Sequence, residues 1–142
     1  MTKTFKKITA LAMAAVTAGA ISASAYAEAI NDFYFNIYGH GQYRYSDPVT
    51  KGSSDNHAAV NGEDGFVSET AFMYLSVHNY HGNPNDPDNP GYPGSAVTDT
   101  IKITKVDYYT LPYTAATAKA KNYCLKGQIG YYDAELSGTW AP

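Results

Sequence analysis

Hydrophobic and polar residues alternate at period two over several stretches of this chain, the signature of strands covered on one face. From Asp32 to Tyr38, Phe33, Phe35 and Ile37 fall on one side and Tyr34, Asn36 and Tyr38 on the other. Thr70 to Tyr80 sends Met73, Leu75 and Val77 one way and Phe72, Tyr74 and His78 the other. Both of its faces are partly apolar, which predicts a central strand. Val97 to Val106 is predicted as another strand around Ile101 and Ile103, and Leu136 to Trp140 as a closing strand with Gly138 at a bulge or close approach. Tyr43 to Tyr45 reads as a short edge strand ending at Asp47-Pro48. Ala115 to Lys121 alternates as well as it would wind, and is predicted to lead as a strand into Tyr123, Leu125 and Gln128 to Tyr132.

The breaks between these runs carry turn chemistry. Asn61-Gly62-Glu63-Asp64-Gly65, between Ala58–Val60 and Phe66–Ser68, has the glycines and the Asn-Gly pair of a hairpin turn. Thr50 to Asn56 reads as polar loop, and Leu111-Pro112 ends whatever extension precedes it. Asn79 to Gly94 holds four prolines, which exclude helix and a central strand. Fourteen tyrosines, five phenylalanines, twelve glycines and seven prolines in 142 residues favour strands joined by turns over helices. The expectation is an all-β fold: a single antiparallel β-sandwich or small barrel of about six to eight short strands.

The first 27 residues differ from the rest. Lys3, Lys6 and Lys7 precede an alanine-rich apolar run from Ile8 to Ile21, and Ala25-Tyr26-Ala27 is a small-x-small cleavage site. The run is shorter than the roughly 20 residues that span a bilayer. Residues 1–27 are therefore expected to be a secretory signal peptide, 28–142 the exported β-domain, and no transmembrane anchor is expected after cleavage. Cleavage takes the formal net charge from −3 to −6, with seven basic residues left against thirteen acidic ones. Nucleic acid and anionic lipid are bound by basic surfaces, so neither is expected as the main partner. The 115 remaining residues suffice for one domain that buries roughly 65% of its extended-chain surface. Cys124 stands alone, so no intrachain disulfide forms, a pattern that fits bacterial export.

Chemistry-bearing residues are few. In the proline-rich segment Asn83, Asn85, Asp86, Asp88 and Asn89 offer the hard oxygens that calcium takes, although their spacing is not that of an EF-hand. His78 and His81 lack the further ligands that zinc needs. No other cofactor is expected. Cys124, in a predicted strand, reads as a small buried hydrophobe or as the link of a disulfide dimer, the alternative being a monomer. Glu63, Asp64, Glu69, Asp133 and Glu135 could furnish the carboxylate pair of a glycosidase, with no motif to choose among them. Nucleophile-elbow, P-loop and dinucleotide fingerprints do not occur. Tyr34, Tyr38, Tyr43 and Tyr45, if exposed together, would make an aromatic platform for sugar rings or a protein.

Phe33-Tyr34-Phe35, the Ala118-Lys119-Ala120-Lys121 segment running into Tyr123-Cys124-Leu125, and the closing Ser137-Gly138-Thr139-Trp140 follow the leader in that order. This order resembles a family of small exported Gram-positive proteins of unknown function. The resemblance implies a secreted β-sandwich-like domain and carries over no catalytic residues. Asp133 and Glu135 precede the tryptophan here, whereas acidic residues follow it in that pattern. The sequence thus leads to a non-catalytic domain, secreted or loosely associated with the cell surface, that binds another protein or a cell-wall glycan. A bacteriocin-like antagonist and a small wall-degrading hydrolase are the alternatives.

Overall fold

A computed structural model describes residues 30–52, 54–117 and 120–142. The expected signal peptide, residues 1–27, lies outside the described residues, as do Ala118 and Lys119. The described chain is all β: β1 (Asn31–Ile37), β2 (Tyr43–Tyr45), β3 (Val49–Thr50), β4 (His57–Phe66), β5 (Met73–His81), β6 (Tyr92–Ala96), β7 (Ile101–Ile103), β8 (Tyr108–Pro112), β9 (Asn122–Ile129) and β10 (Ala134–Ala141). Sheet A has the order β1-β10-β4-β8. Sheet B has the order β2-β9-β5-β6, with β3 also on β9 and β7 also on β5. All of the pairings are antiparallel. The strand count exceeds the expected six to eight because β2, β3 and β7 are only two or three residues long.

The period-two pattern determines which faces meet. Phe33, Phe35 and Ile37 of β1 and Leu136 and Trp140 of β10 are buried, as are Met73, Leu75 and Val77 of β5 and Tyr123, Leu125 and Ile129 of β9. Each such side chain contributes about 1.5–3 kcal/mol by leaving water. β5 is central, as its two-sided apolarity predicts, lying between β9 on one side and β6 and β7 on the other. The sheets approach most closely where β9 has no side chain. An added Cβ on Gly127 would stand 2.6 Å from the ring of Phe35. The glycine lets a phenylalanine of sheet A press onto the backbone of sheet B.

Four sequence expectations need correction. Asn61–Gly65 is not a hairpin turn: β4 runs through it, held by β10 on one edge and β8 on the other. The register shifts opposite Ser137/Gly138, leaving Glu63 as the extra residue of a bulge. The glycines serve cross-strand approach, since a Cβ on Gly138 would lie 1.9 Å from the carbonyl oxygen of Asn61 and one on Gly65 2.3 Å from that of Glu135. Gly138 therefore has the role its sequence context predicts. Val97–Val106 is not one strand, because the Thr98 hydroxyl accepts the Val77 N–H at 3.0 Å and so replaces a ladder bond. Only Ile101–Ile103 remains extended. Ala115–Lys121 forms no strand among its described residues; Ala120 sits at φ 58° and donates its N–H to the Lys51 carbonyl at 2.9 Å, which breaks the extended run. Asn79–Gly94 is loop only in its middle, because β5 reaches His81 and β6 starts at Tyr92. Its prolines tolerate this because β6 is an edge strand.

The fold also sorts charge. The strands of sheet A carry Asp32, Glu63, Asp64 and Glu135 and no lysine or arginine, while those of sheet B carry Arg44, Lys102 and Lys126 and no carboxylate.

Replacing Gly127 with alanine is expected to cost about 1–3 kcal/mol by overpacking a site that cannot relax. Urea denaturation should show the loss, and Phe35→Leu should recover part of it in the Gly127→Ala background. Simple additivity of the two changes would refute this contact as the cause.

Candidate functional site

The outer face of sheet B is a network of rings covered by its own cations. Tyr43 and Tyr45 project from β2, opposite Gln128 and Lys126 of β9. Their rings meet edge to face at 5.7 Å, and Lys126 Nζ lies 4.7 Å from the Tyr43 ring centre. Phe72 and Tyr74 repeat the arrangement at 5.2 Å, with Lys102 Nζ 4.4 Å over Phe72 and 3.4 Å from Glu69. Such contacts are worth about 0.5–1 kcal/mol each at exposed positions.

At the middle of this face Ser76, His78 and the Gly94 carbonyl form a line. The carbonyl can only accept, so the His78 Nδ1 it meets at 2.9 Å carries the proton. Nε2 then accepts the Ser76 hydroxyl at 3.0 Å. The imidazole bridges β5 to β6 beside the irregularity between His78 and Tyr80. Burial lowers its pKa; the bond to Gly94 opposes this and the charge on Lys126 reinforces it. Opposite His78 lies Cys124, fully buried, its Sγ 3.9 Å from the His78 carbonyl and its thiol pushed up to about 12 by burial. A disulfide between two copies would require the buried Cys124 Sγ to become accessible.

The four tyrosines of the expected platform divide between the sheets. Tyr34 and Tyr38 belong to the outer side of sheet A, where the Tyr34 hydroxyl accepts the Asn36 amide at 3.0 Å, and Tyr43 and Tyr45 to the outer side of sheet B. The structure instead gathers aromatics at one end. β1, β4 and β9 finish there and β2, β5 and β10 begin there, as the pairs Ile37–Ala134, Phe66–Glu135, Met73–Ile129 and Tyr43–Gln128 require. The connections 38–42, 67–72 and 130–133 therefore come together. Bonds from Gly41 N–H to the Gly130 carbonyl and from Gly39 N–H to Asp133 Oδ1, both 2.8 Å, tie 38–42 to 130–133. At this end Tyr131 is 75% exposed, Phe66 66%, Tyr38 65% and Tyr132 63%. His40 stacks on Tyr131 at 4.1 Å, whereas Tyr38, Phe66 and Tyr132 make no ring contact among the described residues. Phe66, Tyr131 and Tyr132 were missed by periodicity. The strand expected to run on to Tyr132 stops at Ile129, and Gly130-Tyr131-Tyr132-Asp133 is instead a connection that leaves both tyrosines exposed.

The residues proposed for calcium occupy the β5–β6 connection at the opposite end. Asn83 Oδ1 accepts the Asn85 N–H and Asp86 Oδ1 the Asp88 N–H, each at 3.0 Å, and Asn89 closes the loop by donating to the Asp86 carbonyl at 3.2 Å. Among the described residues no group of three or more His, Cys, Asp or Glu is placed to hold a metal. Asn83 and Asn85 also line an open polar cleft of about 460 Å³ with Asp47, Thr50 and Asn122. Lys51 is buried nearby, its Nζ 4.5 Å from the Tyr113 ring centre, and burial lowers its pKa while Asp55 raises it. Of the five carboxylates weighed for hydrolysis, Glu69 pairs with Lys102, Glu63 accepts from Asn61 at 3.0 Å and Asp64 accepts from the Gly65 N–H at 2.8 Å, whereas Asp133 and Glu135 line one small recess together.

No protein-family model, curated protein or solved structure matches this chain significantly.

Two outcomes follow from the buried groups. The unfolded chain protonates His78 near its ordinary pKa of 6.5 and the folded chain only at lower pH, so the unfolded state binds more protons. Stability should accordingly fall as pH drops through about 6.5, and His78→Gln should flatten that part of a Tm–pH curve. The Cys124 thiol should react with an aromatic disulfide reagent orders of magnitude more slowly in native protein than in urea. Comparable rates in the two conditions would show that β9 opens readily.

Proposed function

We propose that this protein is an exported, non-catalytic β-domain that binds a cell-wall saccharide through the aromatic end of its sandwich. The observation that carries this reading is that Tyr38, Phe66, Tyr131 and Tyr132, 63–75% exposed, lie at one end of the sandwich, where the 38–42 and 130–133 connections are tied together. Tyrosines have an apolar ring face, which stacks on the C–H face of a sugar, and a hydroxyl that remains hydrogen-bonded at the rim. Rings fixed by short connections lose little freedom on binding. The leader-like residues 1–27 support export, and the net acidity of the remainder favours a neutral or cationic ligand over a phosphate-rich one.

Hydrolysis is a second reading, favoured by the Ser76–His78–Gly94 line, in which a base of fixed tautomer accepts from a hydroxyl. Ser76 is only 5% exposed, however, and its bond serves equally to hold β5 and β6 together. Purified protein should be retained on insoluble wall glycan, and a Tyr131→Ala, Tyr132→Ala variant of unchanged Tm should lose at least tenfold of that retention. Equal retention of the variant and wild type would defeat the binding reading. Labelling of wild type but not of Ser76→Ala by a fluorophosphonate would establish the hydrolytic one.

A further inference from the structure

On the sheet A side of this end, a recess of about 100 Å³ is lined by Asn36, Tyr38, Phe66, Asp133, Ala134 and Glu135. Its walls follow from register. Asn36, Glu135 and Phe66 are neighbours in one row across β1, β10 and β4. Ala134 lies opposite Ile37, and Tyr38 and Asp133 continue the chain just beyond that pair. Two aromatic rings and two carboxylates therefore border an open recess about the size of a small substituted ammonium group.

The charges around it are unbalanced. Neither Glu135 nor Asp133 has an ion-pair partner among the described residues, and the strands of sheet A carry no lysine or arginine. Asp133 is held in place by the Gly39 N–H at 2.8 Å, and Asn36 by the Tyr34 hydroxyl, so the polar wall is fixed before any ligand arrives. Phe66 is the least expected member. It can offer a ligand no hydrogen bond, yet it stands 66% exposed beside a carboxylate. An aromatic face next to an uncompensated anion attracts a cation with an apolar shell, because the ring quadrupole and the carboxylate act on the charge while the methyl groups fill the volume.

We infer that this recess binds a quaternary ammonium head group of trimethylammonium type. The inference rests on the reading of this end as the binding end and gives it a ligand chemistry. A methylated ammonium also lays its methyl groups against the Phe66 ring, an apolar contact that a primary ammonium lacks.

Isotope-labelled full-length chain titrated with tetramethylammonium chloride and with choline chloride tests the assignment by NMR. The expected result is saturating shifts at Phe66, Ala134 and Glu135 in the millimolar range, absent with potassium chloride at equal ionic strength. Phe66→Ala and Glu135→Gln, both changes at the surface, should each weaken binding about tenfold, while Tyr92→Ala, at an exposed position of β6 at the other end, should leave it unchanged. Retention on choline-coupled resin with elution by free choline would support the recess and show that it takes a polymer-borne head group; free choline binding without retention would support it for a soluble one. The absence of saturable shifts, unaltered binding by Phe66→Ala, or tighter binding of ammonium chloride would overturn the inference. Retention on wall glycan alongside a failed titration would leave the saccharide reading standing, whereas failure of both would remove the two together.

Discussion

The structure depends on the contact between the Phe35 ring and the side-chain-free backbone of Gly127. Two sheets pack only as closely as their largest facing side chains allow, and here a ring from the edge strand of one sheet meets a gap in an inner strand of the other. The gap fixes which residue of β1 lies over which residue of β9. That registration sets where β1 ends relative to β9, and so brings the 38–42 connection against 130–133. The aromatic end is thus a consequence of interior packing. Its rings hold their positions because buried residues set the lengths and directions of the strands beneath them.

Alternation made the central parts of the fold legible. Phe33, Phe35 and Ile37, and Met73, Leu75 and Val77, are all buried as their spacing requires, because in a half-buried strand the side-chain period leaves little choice. What escaped the sequence is whatever depends on long-range substitution for a local rule. Asn61–Gly65 has a turn's composition, yet β10 pairs along it from 71 to 78 residues away and β8 pairs with its first residue from 47 residues away, which holds it extended. Thr98 ends a strand with a hydroxyl bonded to Val77, a contact that propensity does not encode. The candidate site was half legible for the same reason. Tyr38 stood out as a polar-face tyrosine, whereas Phe66 and Tyr132 acquire meaning only when three connections meet.

The outer face of sheet B illustrates the difference between having aromatics and presenting them. Tyr43 and Phe72 each lie under a lysine, and Tyr45 sets its edge against His78 at 5.4 Å. These rings satisfy one another and add to sheet stability through cross-strand pairs. Tyr38, Phe66 and Tyr132 have no such internal partner among the described residues, and it is their lack of a covering group that separates them as a binding surface.

The sorting of acids to one sheet and bases to the other has an electrostatic consequence that net charge conceals. Packed sheets stand about 10 Å apart, and in physiological salt the solvent damps a charge over a comparable distance. A solute approaching sheet A therefore meets a patch whose potential is set largely by that patch, with the cations of sheet B out of range. The strands of sheet A thus gather acidic side chains without a basic one among them, a local excess that the net charge of the chain does not describe.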